Sequence, residues 1–471
     1  MPGHDGAHPH LIAAAGPLRP NLRALAPGRR TTTRPAVVLH EAPIRSVAAI
    51  GIAIALYFVI TYFESMNVAG LKVATLWRLV VVIAATLVIA VRPFPRTAAM
   101  RALEPVFWTF LAFAIAPLLS IGTGSSDIQV SLEVFAQRIF PVVVVTCLLA
   151  ACRLDVADLL VRAFPLYLCV VSVPLLLGLL PPVAPLLEAV SGYEVNSYAS
   201  AFQNIHSASL AHAIAVICTF TLLSRATGRH RLELLCVALA CLALTVITTA
   251  RSGLIAAVIG ILVITWRTRR LTALIALLTL AVGLGMMAAA LRPQLVDVAV
   301  DRALGRNVYV ADSSADAMSS GRLTLQKAAL HAFAGQPPLK QLFGIGRTES
   351  KNAIRRYTGF HLIAHNAYVD ELIAYGLFGL GALLAALVAG TQLAWRNARA
   401  GQPAGIALML GLMVFALLQG IDYSLQLSVV GLVLLLESQA RLRAESVMAA
   451  PPPTPTIAPA TPVAAPDAAT S

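Results

Sequence analysis

Apolar runs long enough to cross a lipid bilayer follow one another from residue 46 to residue 439. About 20 apolar residues carry a helix across the hydrocarbon core, and somewhat fewer suffice. Inside lipid every backbone N–H and C=O needs a partner within the protein, so a run of this kind is constrained to a helix. The pattern predicts spans at 46–63, 73–91, 103–121, 134–151, 164–180, 200–223, 232–249, 252–266, 271–290, 366–393, 404–420 and 425–439. Composition agrees. The chain is 58% hydrophobic and 12% charged, where a soluble domain carries about 25% charged residues. The expected fold class is therefore all-α integral membrane, with about 12 transmembrane helices and one large loop at 291–365.

The basic residues orient these helices. With the N-terminus in the cytoplasm, the cytoplasmic side holds six arginines of the tail and the clusters Arg92/Arg96/Arg101, Arg153/Arg162, Arg225/Arg229/Arg231, Arg267/Arg269/Arg270, Arg396/Arg399 and Arg441/Arg443. That is 21 of the 35 basic residues, as the preference of Lys and Arg for cytoplasmic loops requires. The short outer loops hold Lys72, and ten basic residues lie in the long loop, which is exempt from the rule by its length. Both termini are expected in the cytoplasm. The net charge of +13 comes from residues scattered between apolar runs, so it points to membrane lipid and not to nucleic acid as a partner.

Residues 1–45 are rich in Arg, Pro and Ala and contain no apolar run. They do not read as a secretory signal peptide, and a disordered cytoplasmic tail is expected. Residues 46–440 form the membrane domain, and 441–471, Pro/Ala-rich from Pro451 onward, form a second disordered cytoplasmic tail. The six cysteines lie in apolar segments without a CxxC pair and read as small core residues.

Charges at membrane depth are costly and call for explanation. Arg251 stands in TTARSG between the seventh and eighth spans, and Arg138 at the outer end of the fourth. Arg78, near the outer end of the second, reads as a snorkelling side chain. The long loop carries ten basic against five acidic residues, a field that attracts an anionic ligand. Within it, SGRLTLQKAALHAFAG (320–335) has helical apolar spacing at Leu323, Leu325, Ala329, Leu330 and Phe333. Arg322 would fall in the first turn, and a helix N-terminus with a guanidinium suits a phosphate. A Gly-punctuated turn, LFGIG (342–346), and a basic run, Arg347, Lys351, Arg355 and Arg356, lead to His365 and Asn366 at the start of the tenth span. A neutral imidazole there can accept a proton or hold a hydroxyl. Gly376 and Gly379 would let another helix approach closely.

These residues resemble the signature of the bacterial O-antigen ligase and polymerase superfamily. His365 and Asn366, nine residues, then Gly376 and Gly379 resemble its HN-x9-GxxG pattern. AFQNIHSASLA (201–211) resembles FGNPNxLA, with His206 in place of the second Asn. TTARSG resembles TxSRGG, with Ala250 replacing Ser, and SGR before a helix and a GIG turn resembles the loop arginine motif without its usual Trp. The resemblance covers roughly 200–390. It implies a metal-independent transferase with a membrane glycosyltransferase (GT-C-like) fold and no cofactor. Such an enzyme moves a glycan from undecaprenyl pyrophosphate to an acceptor at the periplasmic face of the inner membrane. By position, Arg251 and Arg322 would hold the donor pyrophosphate and His365 would engage the acceptor hydroxyl; these are the catalytic candidates. Arg138, Asn366, Arg347, His206 and Asn204 are candidate substrate-binding residues.

The function expected is an O-antigen ligase with lipid A–core as acceptor, acting with inversion at the anomeric carbon. An O-antigen or exopolysaccharide polymerase and a protein O-oligosaccharyltransferase use the same kind of donor and stand as alternatives. A transporter of anionic lipids would spread its charges through several mid-membrane helices, whereas here they cluster toward one face.

Overall fold

The computed structural model describes residues 57, 61, 66–68, 71–91, 98–124, 126–151, 153–176, 179, 202, 205–248, 250–269, 275, 321–421 and 423–449. Apart from single residues, the expected spans 46–63 and 271–290 lie outside these, as do the N-terminal tail, loop residues 291–320 and Asn204.

The described chain is helical apart from a two-rung antiparallel hairpin, β1 (Asn67–Val68) and β2 (Leu71–Lys72). The helices are α1 (Val73–Val91), α2 (Ala98–Ile121), α3 (Ile128–Ala150), α4 (Leu154–Leu176), α5 (Ile205–Leu223), α6 (Gly228–Ile247) and α7 (Arg251–Thr268). Three short ones follow in the large loop, α8 (Arg322–Ala334), α9 (Pro338–Phe343) and α10 (Arg347–Thr358), and then α11 (Ala367–Arg399), α12 (Ala404–Leu418) and α13 (Ser424–Ala449). Ten of the expected spans fall on these helices. Among the described residues, eight helices, α1, α2, α3, α5, α6, α7, α11 and α13, are long and apolar enough to cross a membrane by length and composition. The chain is thus a multi-pass membrane protein. α13 runs to Ala449, past residue 440 where the sequence pattern ends the membrane domain. Arg441 explains the continuation, bonding Asn397 of α11 and Glu445 one turn on.

Small residues set the packing of the bundle. A Cβ at Gly253 of α7 would stand 2.6 Å from Ser209 of α5, and one at Gly260 would stand 2.4 Å from Ile217. Without those Cβ atoms the two helices meet closely along both turns, the usual route to helix contact where lipid offers no hydrophobic drive. α11 packs on α2 and α12, α12 on α7, and α13 on α3.

The described part of the large loop is folded on its own small core, in which Leu325, Ala328, Ala329 and Ala332 of α8 meet Ile345, Ala353, Ile354, Ala364 and Ile373. The buried stripe of α8 is narrower than the apolar spacing suggests, since Leu323 and Leu330 are exposed.

α11 is broken at Gly376, whose φ of 71° and ψ of −166° are outside the helical region. The break frees carbonyls that the LFGIG turn then satisfies: the N–H of Gly346 donates to Ala374 at 2.8 Å and that of Ile345 to Ile373 at 3.4 Å. A Cβ on Gly376 would lie 2.4 Å from the backbone of Leu342. Gly376 therefore serves as a docking point for the loop, not as the smooth helix–helix contact expected from the sequence.

Arg78 also departs from expectation. It is 3% exposed, and its Nε donates to Ser424 Oγ of α13 at 3.0 Å. It is drawn into the bundle and does not snorkel.

Candidate functional site

The site gathers at one end of the bundle, where α5, α7, α11 and α13 begin and α12 ends. Ser207 Oγ and carbonyl accept from Gln426 Nε2 at 3.0 and 2.9 Å, tying the first turns of α5 and α13. The opposite end is marked by Arg225, whose Nη2 donates to the carbonyl of Gly401 at 2.9 Å.

The C-terminal turn of α12 organises the center of the site. The Leu418 carbonyl accepts from Arg322 Nη1 at 2.9 Å. Gln419, the next residue, accepts from the N–H of Ala367 on its own carbonyl at 3.2 Å. Its side-chain Oε1 lies 3.1 Å from His365 Nδ1. Helix C-termini carry partial negative charge and exposed carbonyls, so this end attracts a guanidinium and an N–H donor. Arg322 and His365, from separate sequence motifs, are thereby held on adjacent residues of a third element.

His365 occupies a backbone conformation that L residues rarely adopt, with φ of 53°. The left-handed region costs a non-glycine residue about 1–2 kcal/mol, and neighbouring bonds hold it there. The N–H groups on either side, of Ala364 and Asn366, donate to the two carboxylate oxygens of Asp370 at 2.7 and 3.3 Å. Asn366 caps α11, its side-chain oxygen accepting from the N–H of Tyr368 and Val369 at 3.1 and 3.3 Å. Its carboxamide oxygen is therefore committed to the helix, where the sequence reading had it binding substrate. The His365 ring meets that of His206, at the start of α5, edge to face with centroids 6.0 Å apart.

Arg251 is the first residue of α7 and Arg322 the first of α8. Arg251 is exposed and Arg322 half-buried. Burial, and then the positive charge of Arg251, lower the pKa of Arg322; a guanidinium still remains charged. The two cations are thus near enough to repel, and each stands at a helix N-terminus, which itself favours an anion. Burial, and then the charge of Arg322, push the pKa of His365 down, against a raising effect of the Gln419 bond. Lys351 is lowered by burial and by Arg347 and Lys72, a further sign of crowded positive charge at this end. Arg347 lines a small recess with Ser350, Asp370 and Gly420.

Arg138 reaches this group through Glu371 and Tyr375, which line the same recess as Arg347 and Asp370. It is 1% exposed and forms an ion pair with Glu371 of α11, its Nη1 lying 3.1 Å from Glu371 Oε2. Its guanidinium is stacked between Phe113 and Tyr375, 4.0 and 4.6 Å from the ring centroids. The sequence reading made it a substrate contact; its position braces the first turns of α11 against α2 and α3. Gln419 and Asp370 were missed as site residues. A glutamine at the edge of an apolar span was the available signal for the first, and the run of polar residues after His365 for the second. Among the described residues, no group of three or more His, Cys, Asp or Glu side chains converges.

A membrane bundle with two arginines and a histidine assembled at one end defines a multi-pass protein with a cationic, imidazole-bearing site. A family model described as O-Antigen ligase matches residues 235–384, from α6 into α11. The match takes in Arg251, Arg322 and His365 and supports the O-antigen ligase and polymerase superfamily, a family of membrane glycosyltransferases and ligases. A search of curated proteins found no match.

Proposed function

We propose that this protein is an O-antigen ligase that transfers a glycan from undecaprenyl pyrophosphate to a hydroxyl of lipid A–core. The observation that carries the reading is the tethering of Arg322 and His365 to adjacent residues, Leu418 and Gln419, with the charge of Arg251 felt at Arg322. This reading places twelve spans in the inner membrane, both termini in the cytoplasm, the site at the periplasmic face, and the fold in the GT-C-like class.

In the proposed reaction the acceptor oxygen attacks the anomeric carbon from the side opposite the pyrophosphate. The C–O bond to the pyrophosphate breaks as the new C–O bond forms, so the centre inverts. The acceptor proton passes to His365, and the charge that develops on the leaving oxygen is stabilised by Arg322 and Arg251. Preorganised charges of this kind act without reorganisation at the moment of reaction. The reaction as written requires no metal ion; activity that disappears with a chelator and returns with magnesium would contradict it. Arg347 and His206 flank the reacting groups, and Arg138 supports α11.

The test is a deletion strain analysed by lipopolysaccharide gels. Loss of a ligase leaves core without an O-antigen ladder while lipid-linked polymer accumulates. Core bearing a single repeat would instead indicate a polymerase, and an unchanged ladder would point to protein glycosylation or exopolysaccharide. Complementation with Arg322→Ala, Arg251→Ala or His365→Ala should fail with normal membrane insertion. One lost donor of this type costs about 10²–10³-fold in rate. Full activity in any of the three removes that residue from the mechanism.

A further inference from the structure

We infer that Gln419 is a positioning residue for His365, fixing which ring nitrogen carries the proton without adding a charge. The inference rests on the proposed role of His365 in accepting the acceptor's proton.

Gln419 is 1% exposed and follows α12 directly, with extended backbone at φ −155° and ψ 167°. Its N–H donates to the Phe415 carbonyl at 2.8 Å, and its own carbonyl accepts from Ala367. The backbone is therefore fixed independently of the side chain. A carboxamide oxygen only accepts, so at 3.1 Å from Oε1 the His365 Nδ1 carries the hydrogen. Nε2 is left with its lone pair. Orientation of an imidazole through its second nitrogen, by a carboxylate in some enzymes and an asparagine in others, is the general logic of His-dependent catalysis.

An amide suits this site better than a carboxylate. Arg322 from α8 and His206 from α5 face His365, Asp370 of α11 binds the N–H groups flanking it, Arg251 of α7 stands beyond Arg322, and Arg347 and Lys351 of α10 lie around Asp370. A carboxylate at 419 would favour imidazolium, which cannot accept a proton, and would compete for Arg322. The neutral carboxamide keeps the ring oriented and uncharged. Gln419 Nε2 is buried and has no hydrogen-bond partner among the described residues. A buried donor left so is costly, and a bound substrate oxygen would satisfy it.

The test measures transfer by the full-length protein in proteoliposomes, from a pyrophosphate-linked glycan donor to a lipid acceptor, as a function of pH. Gln419→Glu should move the acid limb of kcat upward by about 1–3 pH units, the effect of a nearby opposite charge, with activity recovering at alkaline pH. Gln419→Met should lower kcat by about 10–100-fold, as loss of an orienting partner does, with KM within about twofold of wild type. An unchanged pH profile in Gln419→Glu together with wild-type kcat in Gln419→Met, while His365→Ala is inactive, overturns the inference. So does loss of activity in Gln419→Glu at every pH in protein that inserts and melts normally. An active His365→Ala would overturn the functional proposal itself, which separates the two failures.

Discussion

His206 and His365 meet edge to face with ring centroids 6.0 Å apart, at the head of α5 and the approach to α11. His206 occupies the position where the resembled motif has asparagine. His206→Asn should therefore reduce transfer only modestly. General acid–base catalysis contributes about 10²–10⁴-fold, so a loss of that size in a glycan-transfer assay would move His206 into the proton transfer.

The pH dependence follows from His365. Its pKa is lowered from the ordinary 6.5, chiefly by burial. The neutral, proton-accepting ring therefore persists below pH 6.5, and the acid limb of kcat/KM should fall below that pH. The stability linkage has the same direction: the unfolded chain takes up this proton more readily, so the contribution is present above pH 6.5 and declines as pH falls below it. An acid limb at or above pH 6.5, measured on the wild-type protein, contradicts the assignment.

Glu371→Gln strands the guanidinium of Arg138, which is 1% exposed. Breaking one side of a buried ion pair costs about 3–5 kcal/mol, visible as a lower Tm in detergent. Arg138→Met combined with Glu371→Leu should recover most of that loss. If Arg138 only braces α11, transfer recovers with stability. A stable but inactive double variant would make Arg138 a contact of the substrate.

Gly376→Ala forces a side chain into positive φ and within 2.4 Å of the Leu342 backbone. The conformation costs about 1–2 kcal/mol and the overlap about 1–3 kcal/mol. Both Tm and transfer should fall, because the LFGIG turn loses its seat. Gly381→Ala is the control: its Cβ would meet nothing within 4 Å, and a change equal to that of Gly376→Ala would disprove the docking role.

The spans that fall on described helices were legible because lipid imposes one local rule, and α1 falls at 73–91 as the apolar run predicts. Arg251 stood out as a charge at membrane depth and Arg322 as a guanidinium in the first turn of a loop helix, and the helices begin at those two residues. Relations between distant segments were not. Arg138 and Glu371 are 233 positions apart, and nothing in the spacing of either couples them. Gln419 lies 54 positions from His365, in a span whose composition is otherwise unremarked. Gly376 was legible as a glycine that matters, but a preference for small residues does not distinguish close helix contact from a broken helix. Arg78 was misread because a terminal arginine has two ways to escape lipid, and partners inside the bundle such as Ser424, distant in sequence, decide between them.

Leu418 and Gln419 lie beyond residue 384, where the ligase-family match ends, and His206 lies before residue 235, where it begins. A fragment cut to those limits would keep both guanidiniums and the imidazole yet lose the hook from which Arg322 and His365 hang. In this chain the candidate groups and the turn that holds two of them therefore lie on different stretches of one polypeptide, and the geometry of the site depends on residues outside the matched segment.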